Sequence, residues 1–148
     1  RRSSDLNGQN YVTDGNTGKP EDILDGKQST YLSMIKPGKS MGAYVGTTDP
    51  NFTVDMQQPQ TFNYFYWQHR KQNNGYLQVL SVDIYGSNDN ETFTKINDEV
   101  INIIEDLYDT QYFDIPESTY RYVKVQYRSY SSGGSSAQVA EFGLGLKL

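Results

Sequence analysis

The chain has 148 residues, a formal net charge of −5 and no cysteine. This length fits a single domain, residues 1–148, that can bury its own hydrophobic core. The acidic charge argues against nucleic acid and anionic membranes as partners. The lack of cysteine excludes disulfides and thiolate chemistry.

The predicted elements are short β-branched and aromatic runs separated by turns, a pattern typical of an all-β sandwich. Phe65 and Trp67 share one face of their run by the period-two rule, and Trp67 is predicted to be a core residue. The stretch 31–50 is predicted to be a long irregular loop and 131–136 a loop tip. The predicted strands cover, in chain order, 52–56, 61–69, 76–87, 92–96, 99–107, 111–116, 120–130 and 137–148.

Two early segments carry turn chemistry. The sequence "GNTGK" at 15–19 lacks the spacing of a phosphate or calcium loop and is interpreted as a turn. In "ILDGKQSTY" at 23–31, the hydroxyl of Thr30 follows the carboxylate of Asp25 by five positions on one tight loop. Such hard oxygen ligands suit calcium. On these residues alone, a calcium loop and an ordinary glycine turn both remain open.

Catalytic groups are sparse. His69 is the single histidine and is interpreted as a strand-end residue, since no partner for acid–base work accompanies it. Acidic residues such as Glu105, Asp106 and Glu117 are interpreted as solvated surface rather than as a facing carboxylate pair. The sequence therefore predicts that the chain is not an enzyme.

Five segments, taken in order, resemble the coagulation factor 5/8 type C (discoidin-like) domain, and within it the bacterial family 32 carbohydrate-binding modules. The resemblance covers residues 10–146 and implies an all-β, eight-stranded jelly-roll β-sandwich of the galactose-binding-domain-like type. The segments are "ILDGKQSTY", "FTVDMQQPQTFNYFYWQHR", "VDIYGSNDNETFTKI", "FDIPESTYRYVKVQYRSY" and "VAEFGL".

The resemblance also implies one structural calcium ion. Such an ion would tie the first loop to the last strand and so hold the two ends of the domain together. Its ligands, carried over by position, would be the carboxylates of Asp25 and Glu141, the carbonyls of Lys27 and Ala140, and Thr30.

A glycan site is implied in the loops at one end of the sandwich. Guanidinium and amide donors bridge sugar hydroxyls there, and an aromatic ring stacks on the C–H face of a pyranose. The resemblance does not imply galactose specificity, because Leu32 and Ser33 stand where galactose-binding members often carry Trp-His. The donors would be Arg70 with Asn73 or Asn74, and the aromatic platform Tyr130, with Tyr31 and Tyr44 as alternatives.

The expected function is that of a non-catalytic, calcium-stabilised carbohydrate-binding module. We expect a monomer in a secreted or surface-anchored bacterial glycan-handling protein, at an extracellular or outer-membrane location. The alternative is a discoidin-type adhesion or membrane-lipid-binding domain, with the segment 32–41 as its apolar loop tip.

Overall fold

The computed structural model describes residues 3–5, 20–42, 44–71 and 77–148. The "GNTGK" segment at 15–19 lies outside these residues. Among the residues described, no helix has the length and apolar character needed to cross a bilayer. The elements are β1 (Ser3–Asp5), a 3₁₀ helix (Pro20–Leu24), β2 (Leu32–Ile35), β3 (Ser40–Met41), β4 (Tyr44–Val45), β5 (Asn51–Gln68), β6 (Val79–Ser87), β7 (Thr94–Lys95), β8 (Ile101–Asn102), β9 (Gln111–Tyr130), β10 (Ser136–Val139) and β11 (Glu141–Gly145).

The strands form a large antiparallel sheet and two small two-stranded antiparallel sheets. The large sheet runs β1-β5-β9-β6-β7, with β11 also paired to β5 and β8 to β6. The small pairs are β2 with β10 and β3 with β4. Side chains of β2 and β10 join those of the large sheet in one hydrophobic cluster. The core therefore lies between the large sheet and the β2–β10 pair, and the predicted all-β sandwich class is confirmed.

Aromatic rings fill the centre of this core. Phe52 and Trp67 on β5 and Phe142 on β11 are fully buried, and the Phe52 ring centroid lies 6.5 Å from that of Trp67 and 5.3 Å from that of Phe142. Tyr127 on β9 completes the group, 6.0 Å from Trp67. These residues alternate with polar ones along their strands, so the period-two pattern placed Trp67 correctly.

Two pairs of predicted strands prove to be single long strands. The predicted strands 52–56 and 61–69 both belong to β5, which contains an irregularity in its register with β9 between Asp55 and Gln60. Gln57 there has a φ of 74°, which is typical of a bulge rather than a chain reversal. The segments 111–116 and 120–130 likewise run together as β9. A bulge and a turn share the same polar composition, which is why the sequence suggested breaks.

Three other predictions were wrong in part. The stretch 31–50 contains β2, β3 and β4. Its sequence resembled a loop because the strands enclose a turn, in which Gly38 has a φ of 77°. Of the predicted strand 99–107, only β8 forms. The predicted closing strand 137–148 is divided at Ala140 into β10 and β11. Each of these strands is too short for its period to show in the sequence.

Candidate functional site

The first candidate site joins the loop after the 3₁₀ helix to the start of β11. The Asp25 carboxylate accepts hydrogen bonds from the Lys27 amide at 2.8 Å and from the Thr30 hydroxyl at 2.5 Å. The Glu141 carboxylate accepts one from the Gly26 amide at 2.9 Å. Gly26 has a φ of 77°, which a side chain would strain. The fold thus brings four predicted metal ligands into one cluster, although Glu141 lies more than a hundred positions after Asp25.

The electrostatics of this cluster are unusual. Glu141 is only 6% exposed, and burial together with the adjacent Asp25 carboxyl raises its pKa to about 8. Burial also opposes ionisation of Asp25, but hydrogen bonds from Thr30 and Lys27 leave its pKa below its ordinary value. Within the described part of the chain, no ion pair reaches either carboxylate. Two adjacent carboxyls that form no ion pair with the described residues are a suitable setting for a metal ion.

Ala140, the fifth predicted ligand, immediately precedes Glu141. Its amide donates to the carbonyl of Gln68 on β5 at 2.9 Å, so this hydrogen bond to β5 fixes the backbone beside the acid pair. Among the described residues, no group of three acidic or histidine side chains gathers at one point. A metal at this position would therefore take carbonyl and hydroxyl oxygens as well as carboxylates.

The second candidate site surrounds Arg70, at the end of β5. The Arg70 guanidinium carbon lies 3.9 Å from the centroid of the Tyr31 ring, and one of its nitrogens donates to the Gln138 side-chain carbonyl at 2.9 Å. The Gln138 amide group in turn donates to the Ser33 hydroxyl at 3.2 Å. The structure thus orders a polar row across the β2–β10 pair, with Arg70 at its end.

Gln138 is a site residue that the sequence reasoning missed. It is the direct cross-strand partner of Ser33 and is 5% exposed. Its alternation with the apolar residues Ala137 and Val139 was a signal that it points away from the core. The pairing of β10 with β2, which sets Gln138 beside Arg70, is not visible in the sequence.

The predicted aromatic platforms fall in different places. Tyr31 is 7% exposed and one face of its ring is already covered by Arg70. Tyr130 is half-buried, and its hydroxyl donates to Asp49 at 3.1 Å. The ammonium of Lys36 lies 5.7 Å from its ring centroid. Lys36 directly follows β2 and Tyr31 directly precedes it, so the contacts of the two tyrosines lie at opposite ends of this strand, about 13 Å long.

For three other predicted site residues, the structure describes no side-chain contact. Asn73 and Asn74 lie outside the described residues. Tyr44 is placed in β4 by its backbone alone. The predictions for their side chains remain predictions.

His69 is part of the fold's interior. It is fully buried, its Nε2 lies 2.9 Å from the carbonyl of Ile104, and burial lowers its pKa. This environment holds the ring neutral and away from solvent, which is typical of a structural strand-end histidine.

Residues 32–36 of the suggested apolar loop tip are also buried, so they do not present the side chains that membrane insertion needs.

The sequence model of the F5/8 type C domain matches residues 3–142. No curated protein matches the chain. Among solved structures, the chain is similar to the family 32 module CpGH89CBM32-5 of Clostridium perfringens in complex with GalNAc-β-1,3-galactose. The two share 18% identity over 97% of this chain and 94% of that one, with a TM-score of 0.78.

Two further solved structures have the same fold. The C-terminal domain of a chitobiase from Bacteroides fragilis shares 14% identity over 96% of this chain and 92% of its own, with a TM-score of 0.75. The family 32 module of NanJ from C. perfringens, in complex with galactose, shares 12% identity over 97% and 92%, with a TM-score of 0.71.

Proposed function

Because the chain belongs to the F5/8 type C domain family, we propose that it is a non-catalytic carbohydrate-binding module that holds its glycan at Arg70. The observation that carries this proposal is the fixed orientation of the Arg70 guanidinium. Tyr31 covers one face of it, and Gln138 accepts one of its N–H groups. Two of the similar structures contain a sugar, which supports the choice of ligand class.

The geometry suits hydroxyl recognition. A guanidinium carries five N–H donors in a planar fork, and in the described part of the chain only one of those of Arg70 has an acceptor. The remaining donors can bridge two neighbouring sugar hydroxyls, which adds direction as well as affinity. Preordering by Tyr31 and Gln138 lowers the entropy lost on binding. Binding is expected to be weak, since the polar gains nearly cancel desolvation.

The experiment is substitution of Arg70 followed by a glycan array and calorimetry on the best ligand. Arg70→Gln keeps an amide donor for Gln138 but removes the planar fork, and Arg70→Ala removes both. We expect both variants to lose detectable binding with little change in melting temperature. Arg121→Ala is the matched control, because Arg121 pairs with Asp55 elsewhere on the sheet. Normal binding by Arg70→Ala would refute the site.

We further propose that Asp25, Lys27, Thr30, Ala140 and Glu141 hold a structural calcium ion. The donor set fits: two adjacent carboxylates, one of them buried, lie beside carbonyl and hydroxyl oxygens. A bound divalent cation would neutralise the acid pair and connect the early loop to β11. Calcium sites of extracellular modules have dissociation constants of about 10⁻⁴–10⁻³ M. This range agrees with the secreted or surface location that we propose for the parent bacterial protein.

A further inference from the structure

Three tyrosines lie together on the outer side of the large sheet. Tyr64 and Tyr66 are alternate residues of β5 and so point to the same side, and Tyr112 on β9 is the cross-strand partner of Tyr66. On the other flank of β5, Gly145 pairs with Tyr64 and Gly143 with Tyr66. We call Tyr64, Tyr66 and Tyr112 the tyrosine face. It is separate from Arg70, which comes four residues after Tyr66, about 13 Å along the strand.

The two glycines determine how the rings lie. A Cβ added at Gly143 would stand 2.3 Å from Cζ of Tyr66, and one added at Gly145 would stand 2.3 Å from Cζ of Tyr64. Each ring therefore lies flat across the glycine backbone, with its other face turned away from the sheet. Alternate residues of a strand are separated by about 6.7 Å. The result is two aromatic rings in succession along β5, each lying over a glycine of β11.

Tyr112 extends this surface and leaves it open. It is 69% exposed, and its ring centroid is 6.2 Å from that of Tyr64 and 6.2 Å from that of Tyr66, tilted by 55° and 56°. Within the described part of the chain, none of the three phenol hydroxyls has a hydrogen-bond partner. A cluster of outward-facing aromatic rings, one exposed and two half-buried, with available hydroxyls is typical of a recognition surface.

A depression adjoins the face. Its volume is about 200 Å³, and Tyr66 and Tyr112 form part of its wall together with Gln68 and Thr110. Its wall also includes Gly26 and Glu141, and Glu141 is one member of the acid pair. Flat rings beside polar side chains can stack the C–H face of one pyranose and hydrogen-bond the hydroxyls of the next.

We propose that the tyrosine face is a second glycan-binding surface, which takes a neutral linear polysaccharide along β5. The charges near it give an acidic polymer no free cation, since among the described residues the nearby ammonium of Lys147 is already paired with Asp114. An extended chain suits the face better than a single sugar, because the rings are spread over several residues of strand. This inference shares only its ligand class with the proposed function and does not depend on Arg70.

The test is affinity electrophoresis of the whole chain through gels that contain hydroxyethylcellulose, xylan, β-1,4-galactan or, as the acidic arm, polygalacturonan. We expect retardation by at least one neutral polymer. Tyr112→Ala should weaken that interaction about three- to tenfold, whereas Tyr112→Phe should retain it. Tyr122→Ala is the matched control, because Tyr122 lies on the same strand but the Arg121 guanidinium covers its ring at 4.8 Å.

Several results would overturn the proposal. These are no retardation by any neutral polymer, retardation by polygalacturonan alone, equal losses in Tyr112→Ala and Tyr122→Ala, or unchanged retardation of Tyr112→Ala. A wild-type dimer that becomes a monomer in Tyr112→Ala would assign the face to self-association instead. If only Arg70→Ala loses retardation, this inference fails and the proposed function stands. If Tyr112→Ala alone loses it while Arg70→Ala binds the glycan array normally, the proposed function fails and this inference stands.

Discussion

Two buried carboxylates of the large sheet, Asp83 on β6 and Glu141 on β11, have opposite electrostatic environments. They are equally hidden, at 5% and 6% exposure. Burial opposes ionisation of Asp83, but hydrogen bonds from Asn97 and Arg128 and the charge of Lys95 lower its pKa below the ordinary value. Burial and the Asp25 carboxyl instead raise the pKa of Glu141 to about 8.

The difference lies in where the compensating charge comes from. The Arg128 guanidinium donates to Asp83 at 2.6 Å and the Lys95 ammonium lies at 3.6 Å, so the fold itself neutralises this carboxylate. Glu141 has the Gly26 amide and a second acid. A carboxylate satisfied by its own sheet is structural, whereas a buried acid pair is suited to a cation from solution. Burial alone does not separate the two cases.

The largest effect is expected for Asp83→Ala, which should lower the free energy of unfolding by about 2–3 kcal/mol at pH 7. The substitution leaves the Asn97 amide without its acceptor at 2.8 Å and Arg128 without its partner. Urea denaturation monitored by tryptophan fluorescence measures the loss. The matched control is Asp114→Ala, whose exposed pair with Lys147 contributes little. Equal losses in the two variants would contradict the structural role of Asp83.

The next effect is the response to calcium. With a dissociation constant in the extracellular range, about 10 mM calcium should raise the free energy of unfolding of the wild type by roughly 1.4–2.7 kcal/mol relative to EDTA. Asp25→Ala and Glu141→Gln should lose this gain, because each removes a charged ligand. Asp83→Asn should keep it. Thermal melts with and without EDTA decide the point, and an unchanged wild-type melt would refute the calcium proposal.

Much of the fold was predictable because its signals are local. The alternation around Trp67 identified the core face of β5, and the Asp-Gly turn at Asp25 has the conformation that its sequence requires. Bulges were not predictable, since the polar residues around Gln57 suit a turn equally well. Strands of two residues, such as β8, have no period to detect.

The proximity of candidate site residues was predictable from the sequence only where those residues lie in one segment of the chain. Asp25 and Thr30 share a loop, so their proximity follows from the sequence, and the resemblance supplied Glu141. Gln138 and the tyrosine face depend on which strands pair and in what register. A shift of two residues in β11 would keep Phe142 on the core side but could place Glu141 rather than Gly143 beside Tyr66, and the sequence does not specify that choice.

The last predicted effect, and the smallest per unit of the variable changed, is a pH dependence that separates the two acids by sign. In calcium-free protein, native Glu141 keeps its proton between about pH 4.5 and 8, where the unfolded chain has lost it. The native state then binds more protons, so the free energy of unfolding should fall as the pH rises through this window, by at most about 1.4 kcal/mol per pH unit. Glu141→Gln should flatten the slope, and saturating calcium should reverse or remove it. Asp83 acts in the opposite direction, since its contribution is lost only as the pH falls below about 3.8. Urea titrations at pH 5, 6, 7 and 8 in EDTA provide the measurement, and equal profiles for the wild type and Glu141→Gln would show that Glu141 is already compensated from within the fold, as Asp83 is.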